Sequence, residues 1–203
     1  MGQARTKLEA IRKKHLELAD YWDFPATPDE AVICEGLRHI EIVVVRRASR
    51  AELAYMRMPE NSCHENARWY ERNDPTRQSR AVTGWWVQWP DFVLHSVVKI
   101  DDRFICLTPS YIDEGEFPFM PDPQIVWEKD QEKYIAKKQG YKIGIGVRLF
   151  PEFTLARLEL VRKRLRSGLH PVEASIFSDG ELAELKAKYI NPELAKIWNP
   201  NFT

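Results

Sequence analysis

One segment, residues 61–109, limits what this chain can fold into more than any other. It opens on Asn61-Ser62, two residues that favour helix N-caps, and runs on as CHENARWYER with helical spacing. A polar loop follows. Then come three runs of strand character, AVTGWWVQW, DFVLHSVVKI and RFICLTP, broken by Pro90 and by Asp101-Asp102. A helix followed by consecutive short antiparallel strands predicts an α+β fold: an antiparallel sheet, the Cys63 helix packed on it, and flanking N- and C-terminal helices. Glu65 stands where a capping box with Asn61 or Ser62 would use it.

The chemistry lies in where the polar groups fall. Cys63 occupies the first turn of its helix, where unpaired N–H groups and the positive end of the dipole favour a thiolate and can stabilise an oxyanion. A two-residue turn at Asp101-Asp102 pairs Ile100 with Arg103, Lys99 with Phe104, Val97 with Cys106 and His95 with Thr108. His95, Val97, Cys106 and Thr108 then share one sheet face. A thiol attacks a carbonyl only after a base takes its proton. The candidate catalytic residues are therefore Cys63 as nucleophile, His95 as base and Thr108 as the group orienting the imidazole. Asp91, Asp101 and Asp102 are alternative orienters, and Asn66 lies one turn after Cys63. His64 neighbours Cys63 on the helix and points elsewhere. Cys63, His95 and Cys106 are also soft metal donors, but their spacing matches no standard zinc signature, so neither a metal nor a cofactor is expected.

The series NSCHENA, GWW and LHSVVKIDDRFICLTP resembles the core of the papain-like thiol hydrolases, in particular the transglutaminase-like and NlpC/P60-type branch. The resemblance implies a papain-like core within residues 38–150, and hydrolysis or acyl transfer on an amide or ester of a protein or peptide. In those families the strand after the His often carries an Asp in a pattern like D-x-T-P. This chain has Cys106 there, in CLTP, and a thiol orients imidazole less well than a carboxylate. The alternative is a non-catalytic module on the same fold, in which tryptophan-rich strands and an arginine-rich helix bind a protein or nucleic acid.

Elsewhere the sequence reads as scaffold. Residues 4–22 form an amphipathic helix through Leu8, Ile11, His15, Leu18 and Trp22, and Pro28 opens a short second helix carrying AVICEGL. Residues 38–47 read as a strand buried on both faces at Val43, Val44 and Val45. Ser49 caps a short helix. Residues 110–131, rich in proline and acid, read as a long loop or lid, 130–139 as a helix, and 141–150 as a strand. A helix at 151–167 carries Arg157, Arg162, Lys163, Arg164 and Arg166 on a solvated face, and a last helix spans 180–189. The tail is a turn of helix and an extended end. With 203 residues the chain reads as a single domain. Its 30 basic and 30 acidic residues cancel, so no overall charge draws it to nucleic acid or anionic membrane. Three cysteines with no C-x-x-C pair and no secretory signal imply reduced thiols and a cytoplasmic setting. Oligomeric state has no signature in the sequence.

Overall fold

The computed structural model describes residues 2–110, 115–131 and 133–198. They fall into two compact units, Asp29–Val147 and the pair Met1–Pro28 with Arg148–Thr203.

The first unit carries the candidate site. Helix α2 (Pro28–Leu37) leads to β1 (Val43–Arg47), and α3 (Arg50–Tyr55) and α4 (Cys63–Asn73) follow. Strands β2 (Arg80–Gln88), β3 (Asp91–Ile100) and β4 (Arg103–Cys106) come next, then β5 (Glu116–Pro121). The hairpin of β3 and β4 has the register derived above, with Ile100 opposite Arg103 and Lys99 opposite Phe104. The turn places Asp101 at φ 52°, which Asp tolerates better than most residues. Helix α4 packs on β2 and β3.

The fold is mixed α and β, but its sheet is not a simple antiparallel one. The order β2-β5-β1-β4-β3 returns to β2, closing a five-stranded barrel. Two causes escape a local reading. β1 and β4 pair in parallel, Val45 opposite Phe104, because α3, α4 and a β-hairpin intervene between them. β5, expected to be loop, is a strand between β1 and β2. Gly84 admits it: a Cβ there would stand 2.1 Å from the Met120 carbonyl oxygen and 2.7 Å from the Phe119 ring. The barrel is filled by Val45, Val97, Cys106, Phe117 and Phe119. Outside it, Ala48, Leu53, Met58, Ala67, Val98 and Leu107 form a second cluster under α3 and α4.

Other expectations change with this closure. β1 is shorter than the predicted strand and buries one face only, since Val45 is sealed while Val44 is 63% exposed. The predicted loop also contains β6 (Ile125–Asp130). The predicted helix at 130–139 is β7 (Lys133–Lys138), which pairs with β6 and with β8 (Tyr141–Ile143) in a three-stranded sheet. Tertiary pairing overrides the helical propensity of its Lys and Ala residues. Residues 111–114 of the supposed loop lie outside the described residues. The predicted strand at 141–150 is two strands, β8 and β9 (Gly146–Arg148), interrupted at Gly144. β9 joins the edge of β3, where the Leu94 N–H donates to the Ile145 carbonyl at 2.8 Å. Lys138 is buried and pairs with buried Asp122 at 2.6 Å, while Trp85 Nε1 donates to the same carboxylate at 2.8 Å.

The second unit is helical: α1 (Gly2–Asp20), α5 (Pro151–Arg166), α6 (Pro171–Ala174), α7 (Asp179–Tyr189) and α8 (Pro192–Trp198). Arg162, placed on the solvated face by the sequence, is buried. It donates to the Ala19 carbonyl and pairs with Asp20 and Asp23 at 3.1 and 2.9 Å. Residues 199–203 of the predicted tail lie outside the described residues. Among the described residues no helix is long and apolar enough to cross a membrane.

Candidate active site

Cys63 is the first residue of α4, and the cap expected there does not form. Ser62 is the N-cap, but its hydroxyl donates back to the Glu60 carbonyl at 3.2 Å instead of accepting a first-turn N–H. The first turn of α4 therefore keeps donors that no side chain caps. The Ser96 backbone N–H, on β3, is near enough to the Cys63 sulfur to favour its thiolate. Burial pushes the Cys63 thiol up to about 12; the Ser96 and His64 N–H groups pull the other way without reversing it.

His95 immediately precedes Ser96 on β3 and turns its ring into the barrel. It is buried, with Trp86 and Phe117 flanking it at 5.8 and 5.7 Å between ring centroids. Its Nε2 meets Cys106 Sγ at 3.3 Å. Burial holds the imidazole down to about 3, with His64 and then Arg47 acting in the same direction, so the ring is neutral at neutral pH. Among the described residues no hydrogen bond joins Cys63 to His95.

Thr108 lies just beyond β4, and the structure engages it with Asn66. Its Oγ1 accepts from Asn66 Nδ2 at 3.3 Å, and the same amide reaches the Leu107 and Pro59 carbonyls at 3.2 and 3.0 Å. Asn66, on the second turn of α4, thus ties the helix to the end of β4. The Thr108 carbonyl accepts from Arg47 Nη1 at 2.9 Å, and Cys106 Sγ lies 3.9 Å from it. Arg47 Nη1 also donates to Cys106 Sγ at 3.4 Å, and the guanidinium stacks near Trp86 and Phe117. Burial raises the Cys106 thiol, so this sulfur is a neutral acceptor held between a guanidinium and an imidazole.

His64, expected to point elsewhere than Cys63, turns to the same residue of β3, on the outer face of the barrel. Its Nδ1 lies 2.7 Å from Ser96 Oγ, Ser96 Oγ lies 3.0 Å from Thr83 Oγ1, and Trp127 Nε1 donates to Thr83 Oγ1 at 3.0 Å. The Trp127 ring also packs edge-on against His64 at 4.5 Å. This chain of polar groups pins the first turn of α4 to β3 and to β6. Sequence reasoning missed Arg47, Ser96 and Trp127. The β3 alternation already placed Ser96 on the face opposite His95, but nothing local tied Arg47 or Trp127 to the site. Among the described residues no group of three His, Cys, Asp or Glu side chains is arranged to hold a metal ion. No family model matches the chain, and neither the curated proteins nor the solved structures contain a match.

Proposed function

We propose that this protein is a cysteine hydrolase or acyl transferase acting on an amide or ester, with a protein or peptide as substrate. The observation that carries the reading is the place of Cys63 as the first residue of a helix whose N-cap side chain makes no cap bond, with the N–H of Ser96, the strand residue after His95, favouring its thiolate. With Nε2 against Cys106, Nδ1 is the nitrogen left to take the thiol proton, a transfer that requires Cys63 and His95, which share no hydrogen bond at rest, to be brought together. The thiolate adds to the substrate carbonyl, and first-turn N–H groups of α4 receive the oxyanion. Collapse expels the amine or alcohol, which takes the proton from His95 and leaves a thioester on Cys63. Water hydrolyses that thioester, or an acceptor amine takes the acyl group. Thr108 serves through its two contacts, anchoring α4 by way of Asn66 and Cys106 by way of Arg47. Because thiol and imidazole rest neutral, proton transfer belongs to the reaction and is not completed beforehand.

The test is iodoacetamide labelling near neutral pH with mass-spectrometric readout. Cys63 reacts faster than buried Cys34, and His95→Ala slows it at least ten-fold. Equal rates at the two cysteines, together with indifference to His95→Ala, refute the enzyme reading. One observation favours a second reading, a non-catalytic binding module: burial pushes Cys63 and His95 both away from their charged forms. That reading predicts partner capture unaffected by Cys63→Ala and lost when Trp86 or the α5 arginines are changed.

A further inference from the structure

Among the described residues, strand β6 keeps one whole edge without a partner. It ends the three-stranded sheet and pairs only with β7, in an unbroken register from Ile125 opposite Lys138 to Asp130 opposite Lys133. Exposed sheet edges are ordinarily blunted by shortness, proline, a bulge or a covering element. β8 and β9 follow that rule with three residues each, and the barrel closes on itself. β6 has six residues, no proline and no bulge.

The hairpin fixes which backbone groups face outward. Asp130 pairs with Lys133 across a two-residue connection, so these two exchange hydrogen bonds, and the pairs Glu128–Ile135 and Val126–Lys137 do the same. The alternate residues, Trp127 and Lys129, turn their N–H and C=O groups to the open edge. Among the described residues neither backbone has a hydrogen-bond partner there. The edge is held from behind. Trp127 Nε1 donates to Thr83 Oγ1 at 3.0 Å, and the Arg68 guanidinium lies over the Trp127 and Tyr134 rings at 4.5 and 5.3 Å. A strand fixed in this way loses little freedom when another chain pairs with it.

We propose that β6 is a docking edge for an extended segment of a partner protein, which adds antiparallel to this sheet with a carboxylate opposite Lys129 and a β-branched residue opposite Trp127. Each of these two partner residues then exchanges a pair of backbone hydrogen bonds with β6. Both side chains fall on one face, two positions apart, in the chain order acid, any residue, apolar. Lys129 is exposed and forms no ion pair among the described residues, whereas Glu128 is paired with Lys137 at 2.5 Å. The half-buried Trp127 ring supplies the apolar neighbour.

A second copy of this chain does not fit the same edge. Two-fold pairing centred on residue 128 sets Glu128 against its own copy, and pairing centred on residue 129 does so with Lys129. Pairing centred on Trp127 needs the Ile125 N–H, which already donates to the Asp122 carbonyl at 3.2 Å. The edge needs nothing from Cys63 or His95, so it does not depend on the acyl-transfer reading.

The test is an NMR titration of the isotope-labelled full chain with the peptide acetyl-Thr-Glu-Thr-Val-Thr-amide. Saturable shifts at the Trp127 and Lys129 amides support the edge. Methylating the peptide nitrogens of its Glu and Val weakens binding at least about ten-fold, because the paired donors are gone. Lys129→Pro removes an outward N–H without touching a bond to β7, and it weakens binding to a similar extent. Lys129→Glu leaves the backbone alone and reverses the preference, so that the peptide with Lys in place of Glu binds about three-fold tighter than the original. Shifts that avoid Trp127 and Lys129, equal binding of the methylated peptide, or an unchanged preference in Lys129→Glu overturns the proposal. Concentration-dependent dimerisation that Lys129→Pro abolishes also overturns it, since the occupant is then a second copy.

Discussion

His95 makes the stability of this protein depend on pH in a way that reports directly on its chemical state. In the unfolded chain its imidazole takes a proton below the ordinary 6.5, whereas burial delays that in the folded barrel to about 3. Between those values the unfolded chain holds one more proton than the folded one at this residue. Acid therefore favours unfolding: the contribution is fully present above pH 6.5 and is lost as pH falls toward 3. Each pH unit inside the window is worth about 1.4 kcal/mol, so lowering the pH from 6.5 to 5 removes about 2 kcal/mol through His95 alone. Burial also depresses His64, to about 4, and His15, so the parent slope is the sum of several residues. The perturbation that isolates one of them is His95→Gln, and the readout is slope, which any pH-independent cost of the substitution leaves untouched. Urea unfolding followed at pH 7, 6.5, 6, 5.5 and 5 gives both slopes. The variant loses about 2 kcal/mol less than the parent across the window. Equal slopes would mean that His95 titrates alike in both states, which removes the buried neutral imidazole and, with it, the base proposed above.

Gly84→Ala drives a methyl group into the Met120 carbonyl at the β2–β5 seam, so urea unfolding shows a loss of about 3 kcal/mol or more; a loss below 1 kcal/mol refutes the seam as drawn. Asp122→Asn strands the Lys138 ammonium in the interior at a cost of about 3–5 kcal/mol, and adding Lys138→Met recovers most of it in the same measurement; a double variant no better than the single one contradicts the pairing. Arg162→Leu leaves the Ala19 carbonyl without this donor and costs about 2 kcal/mol in thermal or urea unfolding, whereas a solvated arginine would cost under 0.5 kcal/mol.

What was legible in the sequence was local. The periodicity of α1 and α5, the proline opening α2, the N-cap at Ser49 and the two-residue turn at Asp101-Asp102 each depend on neighbours a few positions away. The hairpin register put His95 and Cys106 on one face, and their 3.3 Å contact follows from it. β5 was not legible because Pro118 and Pro121 read as breakers, and only the strands on either side of it supply its pairing. β7 carries Lys133, Lys137 and Lys138 and looks polar until Asp122, sixteen positions earlier, accounts for the last of them. Within the site, the engagement of Thr108 with Asn66 depends on how α4 crosses the end of β4, a tertiary fact without a local signature.

The parallel contact of β1 with β4 bears on when this candidate site is assembled. Arg47 meets Cys106 across 59 positions of sequence, and the hairpin presenting His95 lies inside that span. Loop closure over such a distance is among the slower events of folding. A nascent or partly unravelled chain therefore exposes an ordinary thiol at Cys63, and the buried thiol and the surroundings described here arise only once the barrel is shut.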